Sequence, residues 1–175
     1  MDEAEFTAVY AATYKPLLGY ALRRCDSPED AADVVAETFT IAWRRAAEIP
    51  EGAEARLWLY GVARRVLANH HRGERRHMIK TAALRAELPA RTPPQNESRV
   101  AEVFQSLSER DRELLALVAW EGLTNPEIAV VLGCSPNAVS IRLHRARKRF
   151  ARALRSAGVD RSAAQTRSAL QGELT

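Results

Sequence analysis

The sequence predicts an all-α protein made of two small helical domains joined by a flexible linker that contains proline. Apolar residues recur every three or four positions along most of the chain, which is the period of a helix, and no segment reads as a convincing strand. Three prolines interrupt this pattern over residues 88–98. The 175 residues, 46% of them hydrophobic, suffice for one ordinary domain or two small ones.

These observations divide the chain into four segments. The predicted bounds are 1–80 for the N-terminal domain, 81–97 for the linker, 98–155 for the C-terminal domain and 156–175 for a frayed tail.

The N-terminal domain is predicted to hold helices over 2–24, 28–47 and 55–76, with a break of the first helix at Pro16 left open. The second helix opens with acids and ends with arginines, as the helix dipole favours. Its predicted apolar stripe consists of Ala31, Val34, Val35, Thr38, Phe39, Ala42 and Trp43. The predicted core stripe of the third helix consists of Leu59, Val62, Val66 and either His70 or Leu67.

Charge is distributed unevenly around a net value of +4. Residues 26–54 hold eight acids against two arginines, whereas residues 55–80 hold seven cations against one acid. Asp30, Asp33 and Glu37 form a negative patch on the second helix, which is either a charged solvent face or a docking surface for a basic partner.

The third helix carries cations interleaved with an aromatic ring on the side opposite its core stripe. The residues of this side are Tyr60, Arg64, Arg65, Asn69, Arg72, Arg75 and Arg76. This combination suits single-stranded DNA, because bases stack on rings while cations follow the phosphates. We assign Tyr60 to this surface and Trp58 to the core.

The C-terminal domain is predicted to hold about four helices, the last two forming a helix-turn-helix. Ser108 and Asp111 form a capping signal for an earlier helix. Thr124 and Glu127 stand in capping-box spacing and predict a helix start near Pro126. Gly133 then supplies a left-handed stop, and Ser135-Pro136 an N-cap followed by a proline suited to the first helical position.

The second helix of this motif carries seven lysines or arginines and no acid. Its predicted core stripe is Val139, Leu143, Ala146 and Phe150. The start of such a helix meets base edges and later cations meet phosphate. The candidates for contacting base edges are Asn137, Ser140, Arg142 and His144, which follow the N-cap Ser135. The candidates for anchoring the helix on phosphates are Arg145, Arg147, Lys148 and Arg149. An isolated basic helix would favour a solvated or membrane-binding face, but the preceding helix, turn and caps favour DNA.

Other classes of protein fit the sequence less well. We expect no signal peptide, no membrane insertion and a cytoplasmic location, because no stretch approaches the ~20 apolar residues of a membrane span. Cys25 and Cys134 are expected to be buried or semi-buried free thiols, and no metal or other cofactor is expected. A metal-dependent enzyme would have to use His70, His71, His77 or His144 with nearby acids, but no HExxH, CxxC or Gly-rich phosphate loop occurs. An autonomous helix-turn-helix regulator remains an alternative, although no coiled-coil heptads support the usual dimer.

Three segments in order resemble a bacterial RNA polymerase sigma factor of the extracytoplasmic-function group in the sigma-70 family. They are the acidic DAADVVAETFTIAW, then LWLYGVARRVLANHHR, and after the linker LSERDRELLALVAWEGLTNPEIAVVLGCSPNAVSIRLHRARKRF. The resemblance covers about residues 5–155. It implies sigma region 2 in the N-terminal domain and sigma region 4 in the C-terminal domain.

The resemblance also implies partners and roles. Asp30, Asp33, Val34 and Glu37 would dock on the clamp coiled coil of core RNA polymerase, whose flap is a second contact. Residues 58–76 would open and grip the minus-ten promoter DNA, with a flipped base read near residues 46–55. The basic helix would read the duplex minus-thirty-five element, and an anti-sigma factor would mask the protein.

Overall fold

The computed structural model describes residues 2–81 and 95–159, although the side chains of residues 73–81 and 95–98 are not among the described ones. The described residues form α-helices and one 3-10 turn, with no strand among them. The helices are α1 Glu3–Leu22, α2 Pro28–Arg44, α3 Glu54–Thr81, α4 Gln95–Ser106, α5 Glu109–Ala119, α6 Asn125–Leu132 and α7 Pro136–Ser156; the 3-10 turn is Ala46–Glu48. The all-α prediction is confirmed. Most of the predicted linker and most of the predicted tail lie outside the described residues.

Local capping explains where α1 and α2 begin. Asp2 and Glu5 form a reciprocal capping box at the start of α1. The hydroxyl of Ser27 accepts a hydrogen bond of 3.0 Å from the backbone N–H of Asp30, and α2 starts at Pro28. Pro16 lies inside α1, which continues through it to Leu22 without a break.

Helices α1, α2 and α3 pack on one another through apolar and aromatic side chains. Leu17 and Tyr20 of α1, Val35 of α2 and Leu59 of α3 are among the buried residues. The predicted stripe of α2 is buried except at its last member, since Trp43 is 54% exposed. The assignment of Trp43 to the core was therefore wrong. Its position lies about 110° around the helix from the middle of the buried face. Its ring meets the ring of Phe6 on α1 edge to face, with centroids 4.9 Å apart.

Helix α7 packs on α5 and on α4 in the C-terminal part of the chain. The hydroxyl of Ser108 accepts a hydrogen bond from the backbone N–H of Asp111 at 3.2 Å, which confirms the predicted cap of α5. The ring of Phe104 meets the rings of Trp120 and Phe150 edge to face, with centroids 5.3 and 5.9 Å away.

The chain divides into two compact units that do not follow chain order. Among the described residues, 2–81 and 126–135 group together, and 95–125 and 136–159 form the other unit. The domain bounds predicted from the sequence therefore stay a prediction. None of the described helices is both long and apolar enough to cross a membrane. Cys25 and Cys134 are half-buried thiols, as expected.

Candidate nucleic-acid and polymerase interfaces

Helix α7 begins where the sequence predicted. Gly133 has a φ of 65°, in the left-handed region, and follows the last residue of α6. The backbone N–H of Cys134 donates to the carbonyl oxygen of Ala129 at 3.0 Å and closes the turn. Pro136 then opens α7. Helix α6 begins at Asn125, directly after Thr124 and one residue before the predicted start.

The buried and exposed faces of α7 separate cleanly. Val139, Leu143 and Ala146 are buried, and Phe150 is half-buried. The candidates for reading and anchoring DNA are all exposed, namely Ser135, Asn137, Ser140, Arg142, His144, Arg145, Arg147, Lys148 and Arg149. Because α7 holds seven cations and no acid, this exposed surface is positively charged from Arg142 to the end of the helix.

One of the anchoring candidates already has a partner within the protein. The guanidinium of Arg149 donates two hydrogen bonds to the carboxylate of Asp111, each 2.6 Å long. Asp111 is only 5% exposed. The hydrogen bond from Arg149 holds the pKa of the Asp111 carboxyl below its ordinary value, against the opposing effect of burial. The same bond raises the pKa of Arg149. The charge of Arg149 is thus directed toward α5.

The predicted basic surface of α3 is exposed as far as its side chains are described. Arg64, Arg65, Asn69 and Arg72 are exposed, and the guanidinium of Arg72 donates a hydrogen bond to the side-chain oxygen of Asn69. Arg65, Asn69 and Arg72 follow one another at spacings of four and three, so they share a stripe. The side chains of Arg75 and Arg76 lie outside the described residues.

Tyr60 does not belong to this surface, and its assignment there is corrected. Tyr60 is 2% exposed, and its ring stacks on that of Tyr20 with centroids 4.9 Å apart. Tyr60, Ala63 and Leu67 recur at helical spacing and are all buried, so α3 buries a broader face than the single predicted stripe. That second run of spacings was the signal in the sequence that could have placed Tyr60 in the core.

The segment between α2 and α3 contains an ion pair between Arg45 and Glu48. The side chain of Arg45 donates two hydrogen bonds to the carboxylate of Glu48, one of them at 2.8 Å, and these bonds lower the pKa of Glu48. The Arg45 guanidinium also lies 5.7 Å from the centre of the half-buried Trp58 ring. Ile49 is buried and anchors the segment to the core.

The acidic patch on α2 is only partly what the sequence predicted. Asp33 and Glu37 are exposed one helical turn apart. Asp30 is half-buried; its carboxylate accepts a hydrogen bond of 2.6 Å from Ser27 and lies 3.5 Å from the Nε2 of His70. Val34 is 1% exposed and belongs to the core. Its assignment to a docking surface is corrected, because a partner could not touch so deeply buried a side chain.

No group of acids, histidines and cysteines among the described residues is arranged to hold a metal ion.

Two family models match the chain in the order of its helices. Residues 9–77 match sigma-70 region 2, and residues 98–150 match sigma-70 region 4. The first match contains most of α1, all of α2 and most of α3, and the second contains the exposed cations of α7 up to Arg149.

Several curated proteins are similar to this chain over most of its length. The ECF RNA polymerase sigma factor SigL of Mycobacterium tuberculosis is 28% identical over 167 residues, which is 91% of this chain and 94% of SigL. The RNA polymerase sigma factor CnrH of Cupriavidus metallidurans is 31% identical over 149 residues, covering 76% of this chain and 78% of CnrH.

Solved structures share the fold. The structure of CnrH in complex with the cytosolic domain of CnrY has a TM-score of 0.63 and 26% identity, covering 89% of this chain and 90% of CnrH. The sigma factor RpoE of Bartonella quintana, solved with the anti-sigma factor NepR, has a TM-score of 0.66 and 22% identity, covering 86% of this chain and 96% of RpoE.

Proposed function

This chain belongs to the extracytoplasmic-function group of the sigma-70 family of RNA polymerase sigma factors, and we propose that it reads two promoter elements with two different domains. A sigma factor binds core RNA polymerase and directs initiation to specific promoters. The observation that carries the proposed division of labour is the continuous basic face of α7, in the segment that matches region 4.

Helix α7 would read the duplex minus-thirty-five element. Asn137, Ser140, Arg142 and His144 are exposed within its first three turns, where a recognition helix meets base edges. Arg145, Arg147 and Lys148 follow and would contact phosphates. Arg149 would instead hold α7 against α5, because its guanidinium is already paired with Asp111. Arg149 thus becomes a positioning residue in this proposal.

Helix α3 would engage the minus-ten DNA. The exposed stripe of Arg65, Asn69 and Arg72, with Arg64 beside it, offers three positive charges within two helical turns. Because Tyr60 is buried, its ring would not stack on a base. Trp58, which is half-buried beside Arg45 near the start of α3, is the aromatic ring that would do so. Residues 46–55 would read a flipped base, as the resemblance implies.

The exposed acids of α2 would dock on core polymerase. Asp33 and Glu37 lie on the exposed face of α2, with Asp30 at its margin. Opposite charges across an interface accelerate association and orient the partners. The partner surface on the polymerase is therefore expected to be basic.

A regulatory protein partner is part of the proposal. The relative CnrH was solved with the cytosolic domain of CnrY, and RpoE of Bartonella quintana with the anti-sigma factor NepR. By analogy, an anti-sigma factor would mask this chain. We further propose that the chain acts in the cytoplasm, where core polymerase works, and that it contributes binding without catalysing a reaction of its own.

The test is transcription in vitro from a genomic promoter library, using core RNA polymerase of the same organism with and without this chain. The expected result is initiation at a new, sharply defined set of promoters. A housekeeping sigma factor added to the same core preparation controls for competent polymerase. No new initiation by competent core, together with tight binding of free protein to duplex DNA, would replace this proposal with an autonomous regulator.

A further inference from the structure

The outward face of α7 carries one apolar side chain among its polar and basic residues. Ile141 is 46% exposed, and it is the only large apolar side chain so exposed on α7, all of whose residues the structure describes. Ile141 stands two positions from both Val139 and Leu143, which are buried. Two residues turn a helix by about 200°, so the side chain of Ile141 points away from the core.

The neighbours of Ile141 are the residues proposed to bind DNA. Asn137 precedes it by one turn, His144 and Arg145 follow it by one turn, and Lys148 follows by two. All four are exposed. A single exposed isoleucine is common on protein surfaces. What distinguishes Ile141 is its position in the second turn of a helix without acids, at the centre of the face that lies opposite the core.

The chemistry of the major groove restricts what an isoleucine can meet there. Thymine presents a C5-methyl group, whereas guanine, adenine and cytosine carry no methyl group there and present hydrogen-bonding atoms. Those atoms would lose water against Ile141 without gaining a partner, and that loss is unfavourable. A methyl group, in contrast, gains by leaving water for an apolar contact.

We propose that Ile141 is a specificity residue that packs on the C5-methyl group of a thymine in the minus-thirty-five element. This inference rests on the proposed function, since it requires that α7 read that element.

Replacing thymine by deoxyuridine isolates the contact, because deoxyuridine pairs with adenine and lacks only the methyl group. Each thymine of the minus-thirty-five duplex, in a promoter found by the transcription assay, is replaced in turn. Affinity of the holoenzyme for each duplex promoter is then measured for the natural chain, for Ile141→Ala and for Ile141→Val. Val100→Ala serves as the matched control, since Val100 is an exposed apolar residue on α4.

We expect at least one replacement to weaken binding by the natural holoenzyme about fourfold, the effect of one buried methyl group. Ile141→Ala should lose that discrimination between thymine and deoxyuridine, Ile141→Val should retain part of it, and Val100→Ala should retain all of it. Indifference of the natural holoenzyme to every replacement, or full discrimination by Ile141→Ala, would overturn the inference. Either result leaves the sigma function intact, whereas failure to initiate at any promoter would remove the proposed function itself.

Discussion

Arg149 and Asp111 join α7 to α5 through two parallel hydrogen bonds, with Nε and Nη2 of the guanidinium each 2.6 Å from a carboxylate oxygen. The carboxylate is buried, whereas half of the arginine side chain is exposed. Paired, planar contacts of this kind fix orientation as well as distance. The pair therefore helps to fix the orientation of the basic helix α7 relative to α5.

Because Arg149 is paired with Asp111, we expect Arg149→Ala and Lys148→Ala to change the salt dependence of DNA binding differently. Lys148→Ala should reduce the slope of log affinity against log salt concentration by about one, because one phosphate contact is lost. Arg149→Ala should weaken binding of holoenzyme to duplex promoter with little change in that slope. Titrations at several salt concentrations measure both variants. An equal reduction of the slope by the two variants would make Arg149 a phosphate contact after all.

The lowered pKa of Asp111 predicts a stability that declines in acid. The folded protein holds this carboxyl ionised below its ordinary pKa of 3.8, so the unfolded state takes up the proton first. The contribution of the pair is fully present above that value and is lost as the pH falls through the folded pKa. Urea unfolding between about pH 2 and 6 should show the advantage of the natural chain over Asp111→Asn shrinking in acid. When Arg149→Ala is introduced into both the natural chain and the Asp111→Asn variant, the pH dependence of the difference in their stability should diminish.

Because Tyr60 is buried, we expect its truncation to destabilise the fold and not to remove a contact with DNA. Tyr60→Ala should lower the free energy of unfolding by roughly 3–5 kcal/mol, as truncation of a buried aromatic ring does. Tyr60→Phe keeps the ring and its stacking on Tyr20, so its promoter opening per folded molecule should match that of the natural chain. A selective defect of Tyr60→Phe in opening, with unchanged stability, would return Tyr60 to the DNA surface.

The separate basic surfaces of α3 and α7 predict separable defects. Arg64→Ala should reduce promoter opening, measured by permanganate reactivity of unpaired thymines, more than it reduces binding to minus-thirty-five duplex. Arg142→Ala should do the reverse, with roughly fivefold or more lost in duplex affinity, if the side chain meets a base edge. Equal losses in both assays from both variants would contradict the division of labour.

The acidic patch predicts that charge reversal blocks assembly. Asp33→Arg should weaken binding to core polymerase without unfolding the chain, because Asp33 is exposed. Glu3→Arg, which changes an exposed acid in the first turn of α1, is the matched control and should bind nearly normally. Val34→Ala should mainly destabilise the fold. Core binding measured by fluorescence anisotropy distinguishes the three; normal binding by Asp33→Arg would remove the patch from the interface.

Much of the fold was predictable because its signals are local. Ser27, Ser108 and Gly133 each act on the backbone within three or four residues, so the sequence alone located the ends of the helices they cap. The basic composition of α7 and its apolar stripe are likewise properties of one helix.

The errors concern residues whose environment depends on a second helix. Periodicity indicated one core stripe on α3, but α1 brings Tyr20 against Tyr60 and buries a broader face. Hydrophobicity assigned Trp43 to the core, although no helix among the described residues covers its ring fully.

By itself the sequence determined the helices, their caps, the basic helix and the resemblance to two sigma regions, because these depend on residues close together in the chain. Only the tertiary structure decided that Tyr60 is core and that Arg149 is held by Asp111. Burial and ion pairing are set by contacts between distant segments, and helical period alone carries no information about which segments meet.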